Sequence, residues 1–363
     1  MIGKSISLHK LIKKKNKVKK FMSTISFKPK KVTKKIISQL APRTYDVIMN
    51  RFGLTSDGKR KTLEEIGNKY NITRERVRQI EDAALNFIKK SSAYKAEQLV
   101  FDELKQLIQK LGSIVAEHEL LPFISKDKST QNHIHFFLSL GDAFKKHRED
   151  DHFHTRYSVD DVMTEKVHEA LRKLYANLSD QDLVPETEMI KKFLEHIKDV
   201  SEEYRDEEMV RRWLSMSKAV AKNPLGEWGK ASSPNIKTRG VKDYAFLVMR
   251  RNGSPMHFRE VADSISKTFN KKIHYATCHN ELIKDHRFVL VGRGMYALSE
   301  WGYKKGIARE VITDILKREG PLGKEDIVLK VNKERYFKKN TILVNLANPK
   351  YFKKNKSGLY TTV

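Results

Sequence analysis

Cysteine is almost missing from this chain. The one thiol, Cys278, excludes an internal disulfide and leaves a cysteine-based zinc site within one chain without ligands. No run of about 18 apolar residues occurs, so no membrane span is expected. Nor is a signal peptide expected, since no apolar core stands near the N-terminus. These absences fit a reducing cytoplasm. No P-loop, dinucleotide-binding or nucleophile-elbow glycine motif is present, which removes the commonest nucleotide-binding and hydrolytic readings. Acid is absent from residues 1–35, which hold 13 lysines. A segment so charged and so poor in large apolar residues buries too little surface to offset its ordering entropy. Residues 1–35 are therefore expected to be a disordered basic arm, serving salt-sensitive phosphate contact or solubility.

Positive charge is what the chain has in excess. Across 363 residues, 72 Lys and Arg stand against 45 Asp and Glu, a net charge of +27. Such a field draws polyanions and raises encounter rates with nucleic acid. The apolar fraction of 39% is low for one large core and favours several small domains.

The most informative stretch runs from Thr62 to Ile88. Thr62 with Glu65 forms a capping box, Ile66 and Tyr70 give the first helix an apolar side, and Asn71 breaks it. Thr73 then caps a second helix in which Val77, Ile80, Ala84 and Ile88 recur at steps of three and four, a buried stripe. Arg74, Glu75, Arg78 and Gln79 fall together on the outer face near its N-terminus. These residue types read base edges in the major groove: Arg guanine, Gln adenine, Glu cytosine. A helix-turn-helix presents its contacts at that place.

Three runs, Arg51-Phe52-Gly53-Leu54, Thr62 to Gly67 and Ile72 to Glu81, closely resemble region 4 of the sigma-70-family transcription initiation factors. The resemblance covers about residues 40–92. It implies that Arg74, Glu75, Arg78 and Gln79 touch the bases of an upstream promoter hexamer, with Thr73 and Arg76 beside the phosphates. It also implies RNA polymerase core as a partner, because region 4 of those factors docks on a polymerase subunit. No promoter-melting region with clustered aromatics precedes residue 40, which argues against independent promoter opening.

Beyond the helix-turn-helix, taken as residues 36–92, the pattern suggests a winged helix at 96–160. Leu99, Leu104, Leu107, Ile108 and Leu111 mark its first helix, and Phe144, Phe153 and Tyr157 flank a polar hairpin. A helical domain at 161–222 follows, marked by Leu171, Leu174, Ile190, Phe193, Trp213 and Leu214, and then a structured linker at 223–239. The last third repeats itself: Gly294-Met-Tyr-Ala matches Gly358-Leu-Tyr-Thr, and Asn252-Gly253 matches Glu319-Gly320. Two tandem winged helices are expected, at 240–301 and 305–363. Pro255 to Ala262, with Gly226 to Gly229 before it, resembles the HARE-HTH winged helices related to the delta subunit of bacterial RNA polymerase. The second repeat lacks that segment. In such domains Thr277, Asn280 and Lys284 on the third helix would meet a groove, with Arg293 at the wing tip on the backbone. Lys353, Lys354 and Lys356 match them in the second wing. Protein binding or simple packing is the other reading of these domains.

Five histidines between His133 and His154 suggest a metal, but their spacing matches no known hydrolytic helix. They are read as strand or surface histidines, with no metal and no cofactor. The expected fold is mainly α, a helix-turn-helix followed by tandem winged helices with small β-hairpin wings. The expected function is a non-enzymatic, cytoplasmic, sequence-specific regulator of transcription bound to double-stranded DNA. Two alternatives stay open: a polymerase-associated accessory factor whose winged helices bind protein, or the DNA-targeting subunit of a restriction or repair system.

Overall fold

Prolines start the first two helices. In a computed structural model, which describes residues 25–198, 204, 206–303 and 307–363, Pro29 and Pro42 open α1 (Pro29–Ile37) and α2 (Pro42–Phe52). There the missing N–H is one that no helical partner would take. Helix α1 corrects the expectation of an arm reaching residue 35, because Val32, Ile36 and Ile37 are buried. Residues 1–24 of that arm lie outside the described residues.

The chain is mainly helical with small antiparallel strand pairs, and it divides into two units. One runs to Ser179 and includes Val184–Ala221; the other comprises Asp180–Leu183 and Lys222–Val363. In the first unit α3 (Leu63–Tyr70) and α4 (Arg74–Lys90) follow α2, then α5 (Ser92–Ala96) and α6 (Gln98–Lys110). Leu99, expected on the buried stripe of α6, is instead 80% exposed. It precedes Leu104 by five residues, which places it about 140° around the helix. The stripe consists of Val100, Phe101, Leu104 and Ile108.

Strand β1 (Ile114–Ala116), helices α7 (Glu117–Ile124) and α8 (Lys128–Leu140), and strands β2 (Lys145–His147) and β3 (Arg156–Ser158) complete a winged helix with α6. The sheet order is β1-β3-β2, with Val115 and Lys146 opposite Tyr157 on its two sides. Its third helix is not open to solvent. Along α8, Gln131, Asn132, His133, Ile134, Phe136, Phe137, Leu138 and Leu140 are all buried, and the helix packs on α1 and α2.

The polar part of that contact is specific. Asn132 Nδ2 donates to the carbonyls of Gly53 (3.0 Å) and Gly58 (2.8 Å), and its Oδ1 accepts from Arg60 Nε at 2.9 Å. His133 Nδ1 lies 2.8 Å from Thr33 Oγ1. The apolar part includes Phe52 edge-on to Phe136 at 5.1 Å. One core therefore runs from Val32, Ile48, Phe52 and Ile88 into Phe101, Phe137 and Tyr157. Each such side chain is worth about 1.5–3 kcal/mol of burial. His133 and His135 are thus helical and enclosed, not strand or surface residues, and only 12% of the His135 side chain is exposed. His147 lies on β2 as expected.

Helices α9 (Asp161–Ala176), α10 (Glu186–Glu195) and α11 (Glu207–Ser215) bury Leu171, Leu174, Ile190, Phe193, Trp213 and Leu214. The Trp213 indole donates to the Gly112 carbonyl at 3.1 Å. Strand β4 (Val220–Lys222) precedes the stretch read as a structured linker, and strand β5 (Trp228–Lys230) lies within it. Trp228, Ser233, Asn235 and Ile236 are buried, and Asn223 Oδ1 accepts from the backbone N–H groups of Leu225 and Glu227.

The second unit contains α12 (Val241–Asn252), β6 (Met256–His257), α13 (Phe258–Phe269), α14 (Tyr275–Lys284), β7 (Phe288–Gly292) and β8 (Met295–Leu298). Their sheet order, β6-β8-β7, repeats the first wing's. Arg287 holds this domain to the segment before it. Its Nη2 lies 2.8 Å from the carboxylates of both Asp243 and Asp285, and its Nη1 lies 3.3 Å from Asn235 Oδ1. The order returns in α15 (Ala308–Glu319), α16 (Lys324–Glu334), α17 (Lys339–Leu346), β9 (Phe352–Lys354) and β10 (Tyr360–Thr362), with Leu322 bridging Tyr360. The glycines that marked the repeat share left-handed φ values, +71° at Gly294 and +77° at Gly358.

Two consequences are measurable. Replacing Asn132 by Ala leaves the Gly53 and Gly58 carbonyls without their buried donor, an expected loss of about 1–3 kcal/mol read as a lower urea midpoint. Burial, with the neighbouring Arg60 charge second, pushes His135 down to about 2. Burial and the Arg156 charge push His168, which accepts from Arg156 Nε at 2.8 Å, down to about 3. Unfolded histidines take up protons below about pH 6.5 that these refuse, so their contribution is full above that pH and lost on acidification. Denaturant titrations from about pH 7 to about pH 5 should show stability falling by up to about 1.4 kcal/mol per unit per histidine. His168→Gln should flatten that slope.

Candidate nucleic-acid interface

The turn between α3 and α4 is built from local chemistry. Thr62 Oγ1 accepts from the Glu65 N–H at 3.1 Å while the Glu65 carboxylate accepts from the Thr62 N–H at 2.7 Å, which closes the capping box. Asn71 ends α3 in the left-handed region at φ 50°. Gly67 is needed for closeness, because a Cβ there would stand 2.6 Å from the Ile72 carbonyl oxygen. Thr73 Oγ1 accepts from the Arg76 N–H at 3.2 Å and starts α4. Val47, Ile66 and Val77 form the small core beneath the turn, with Leu63, Tyr70, Ile72 and Ile80 around it. Arg51 Nε binds Glu81 Oε2 at 2.9 Å and ties α2 to α4.

On that frame Arg74, Glu75, Arg78 and Gln79 are all exposed, as are Thr73 and Arg76. At about 100° per residue they form two adjacent ridges, Arg74 with Arg78 and Glu75 with Gln79. Three of the four already have partners. Arg78 Nη2 lies 2.7 Å from Glu75 Oε1 and its Nη1 2.7 Å from Asp82 Oδ2. Arg76 Nη1 donates to Gln79 Oε1 at 3.0 Å. The Arg78 hydrogen bonds hold the Glu75 carboxyl below its ordinary range.

These pairs pre-order the face without committing it. An exposed ion pair is worth about 0–1 kcal/mol, so these bonds can be given up at small cost. Arg74 has no ion pair within the described residues.

The family description "Sigma-70, region 4" matches residues 36–90. The helix-turn-helix is a sigma region 4 likeness. RNA polymerase sigma factor SigA of Nostoc sp. is 57% identical over 51 residues, 14% of this chain and 13% of that protein. SigA of Clostridium acetobutylicum is 49% identical over 61 residues, 17% of this chain and 16% of its own. Sigma factor RpoD of Helicobacter pylori is 54% identical over 50 residues, 14% of this chain and 8% of its own. The chain thus spans under a fifth of the length of these relatives. No solved structure matches it.

The remaining candidates lie in the second unit. Thr277, Asn280 and Lys284 are exposed on α14, opposite the buried Cys278 and Leu282. Arg293 is exposed at the β7–β8 tip, and Lys353, Lys354 and Lys356 are exposed on the last hairpin. What sequence reasoning missed is the brace under the helix-turn-helix: Asn132, Arg60 and α8. A run of polar residues, Gln131-Asn132-His133, leading into the apolar end of α8 was the signal available.

Gly67→Ala tests the turn. It is expected to destabilise the first unit and abolish duplex binding, while Lys69→Ala on the same helix leaves the fold intact; a thermal melt and a binding titration read both.

Proposed function

We propose that this protein is a non-enzymatic, sequence-specific DNA-binding regulator of transcription that works with RNA polymerase in the cytoplasm. The observation that carries the reading is the exposed quartet of Arg74, Glu75, Arg78 and Gln79 at the start of a capped and anchored helix, inside the segment that matches sigma-70 region 4. Arg78 and Arg74 take guanine edges, Gln79 an adenine and Glu75 a cytosine, with Thr73 and Arg76 beside the phosphates. The relatives named above are RNA polymerase sigma factors, which supports double-stranded DNA and polymerase core as partners. The domain at 240–301 acts as a HARE-HTH-type winged helix, presenting Thr277, Asn280, Lys284 and Arg293. A net charge of +27 adds sequence-independent affinity.

A second reading has one observation in its favour. The first winged helix uses its third helix to hold another part of this chain, so the winged helices here are able to bind protein. In that reading the protein is an accessory factor carried by polymerase. Footprinting with and without polymerase separates the two.

In-vitro selection of bound duplexes at fixed salt is expected to return one preferred site. Arg78→Ala and Gln79→Ala should each cost about 1–3 kcal/mol and relax preference at a single position. Unchanged affinity and unchanged preference in both variants would overturn the reading.

A further inference from the structure

Beside α4 the first unit has an open cleft of about 620 Å³, walled on one side by Arg51, Arg60, Glu81 and Leu85 and on the other by Glu117, Lys146 and Arg148. Two features set it apart from an ordinary surface groove. First, it is cationic: Arg51, Arg60, Lys146 and Arg148 face the carboxylates of Glu81 and Glu117, four positive charges against two negative. His135, which also lines it, is held neutral. Second, although Arg51 is paired with Glu81 and Arg60 Nε with Asn132, part of its cationic hydrogen-bonding capacity is unused within the protein. Arg60 Nη2 is buried without a hydrogen bond, Arg148 has no ion pair among the described residues, and Lys146 reaches no closer to Glu117 than 3.7 Å. A guanidinium is always charged, so these groups keep their field at any working pH.

The cleft also stands in a particular relation to the reading face. On α4, Arg74, Arg78, Glu81 and Leu85 succeed one another at steps of four, three and four, so they form one stripe along the helix. The wall of the cleft is therefore the C-terminal continuation of the ridge that carries Arg74 and Arg78. Leu85 lies about 10 Å along the axis from Arg78. Lys146 and Arg148 stand across the cleft on the β2–β3 hairpin, and both are exposed.

We propose that this cleft is a second docking point for the DNA backbone, in which Lys146 and Arg148 of the wing and Arg51 beside α4 hold phosphates flanking the bases read by Arg74 and Arg78. The first winged helix then contributes its wing to DNA although its third helix is enclosed by α1 and α2. The Arg60 charge in the same wall adds to the field that holds the phosphate. The inference rests on the DNA-reading function proposed above, and it adds a contact that identifies no base.

The test uses the full chain and its selected duplex. Affinity is measured by fluorescence anisotropy across a salt series, and the protected positions by hydroxyl-radical footprinting. The double variant Lys146→Ala/Arg148→Ala is expected to bind more weakly, with the slope of log affinity against log salt reduced by up to about 1.8, or about 0.9 for each lost phosphate. The footprint should shorten on one flank, the base preference should stay the same, and the thermal melt should not move. Arg148→Glu should weaken binding further. A slope and footprint equal to those of the unaltered protein would overturn the inference. Failure of the base-reading proposal has a different signature. If the unaltered protein shows no preferred sequence, yet the double variant still lowers the salt slope, the cleft holds phosphate and the reading by α4 is wrong.

Discussion

A single buried amide governs how helix α4 is held. Asn132 has two N–H donors, and they go to two carbonyls of the loop that joins α2 to α3, while its oxygen receives Arg60. No water reaches this side chain, so every one of those bonds must be made inside the protein. The loop has one stable position as a result, and the helix-turn-helix that follows inherits it. The local core of Val47, Ile66 and Val77 is small, and it draws its rigidity from the larger core to which Ile48, Phe52 and Ile88 belong.

This arrangement assigns opposite tasks to two helices of similar rank. In a winged helix the third helix is the usual groove reader, yet α8 is packed on both α1 and α2 and presents almost no polar surface. Helix α4, by contrast, buries only Val77, Ala84 and Ile88 and leaves its first turns in solvent. Burial, not helix type, decides which of the two can meet a partner. The exposed side chains of α4 are linked to one another by weak, exchangeable pairs, and the buried ones of α8 by bonds that cannot be exchanged without loss.

The same physical logic separates what was legible in the residues from what was not. Capping chemistry is local, so Thr62, Glu65 and Thr73 announced the ends of α3 and α4. Glycine φ values are local too, and the pairing of Gly294 with Gly358 followed the repeat that their neighbours suggested. Errors came where a distant contact overrode local pattern. Lys-rich α1 became helical because Val32 and Ile36 reach a core formed by later helices, whereas Leu99 simply falls outside the stripe that Val100, Phe101, Leu104 and Ile108 form. The stretch after Asn223 reads as a structured linker because its prolines, glycines and serines break periodicity, and Arg287, some fifty residues on, packs it through Asn235.

The sequence by itself determined the helix-turn-helix, its capped second helix, the four side chains at its outer face and the repeated order of the last third. Each depends on residues only a few positions apart. Tertiary structure alone decided that α8 is a brace and that Lys146 and Arg148 face Arg51 across a cleft. Those outcomes depend on pairs such as Asn132 with Gly53, 79 residues apart, and no periodicity of charge or hydrophobicity records which segment a buried polar group will find.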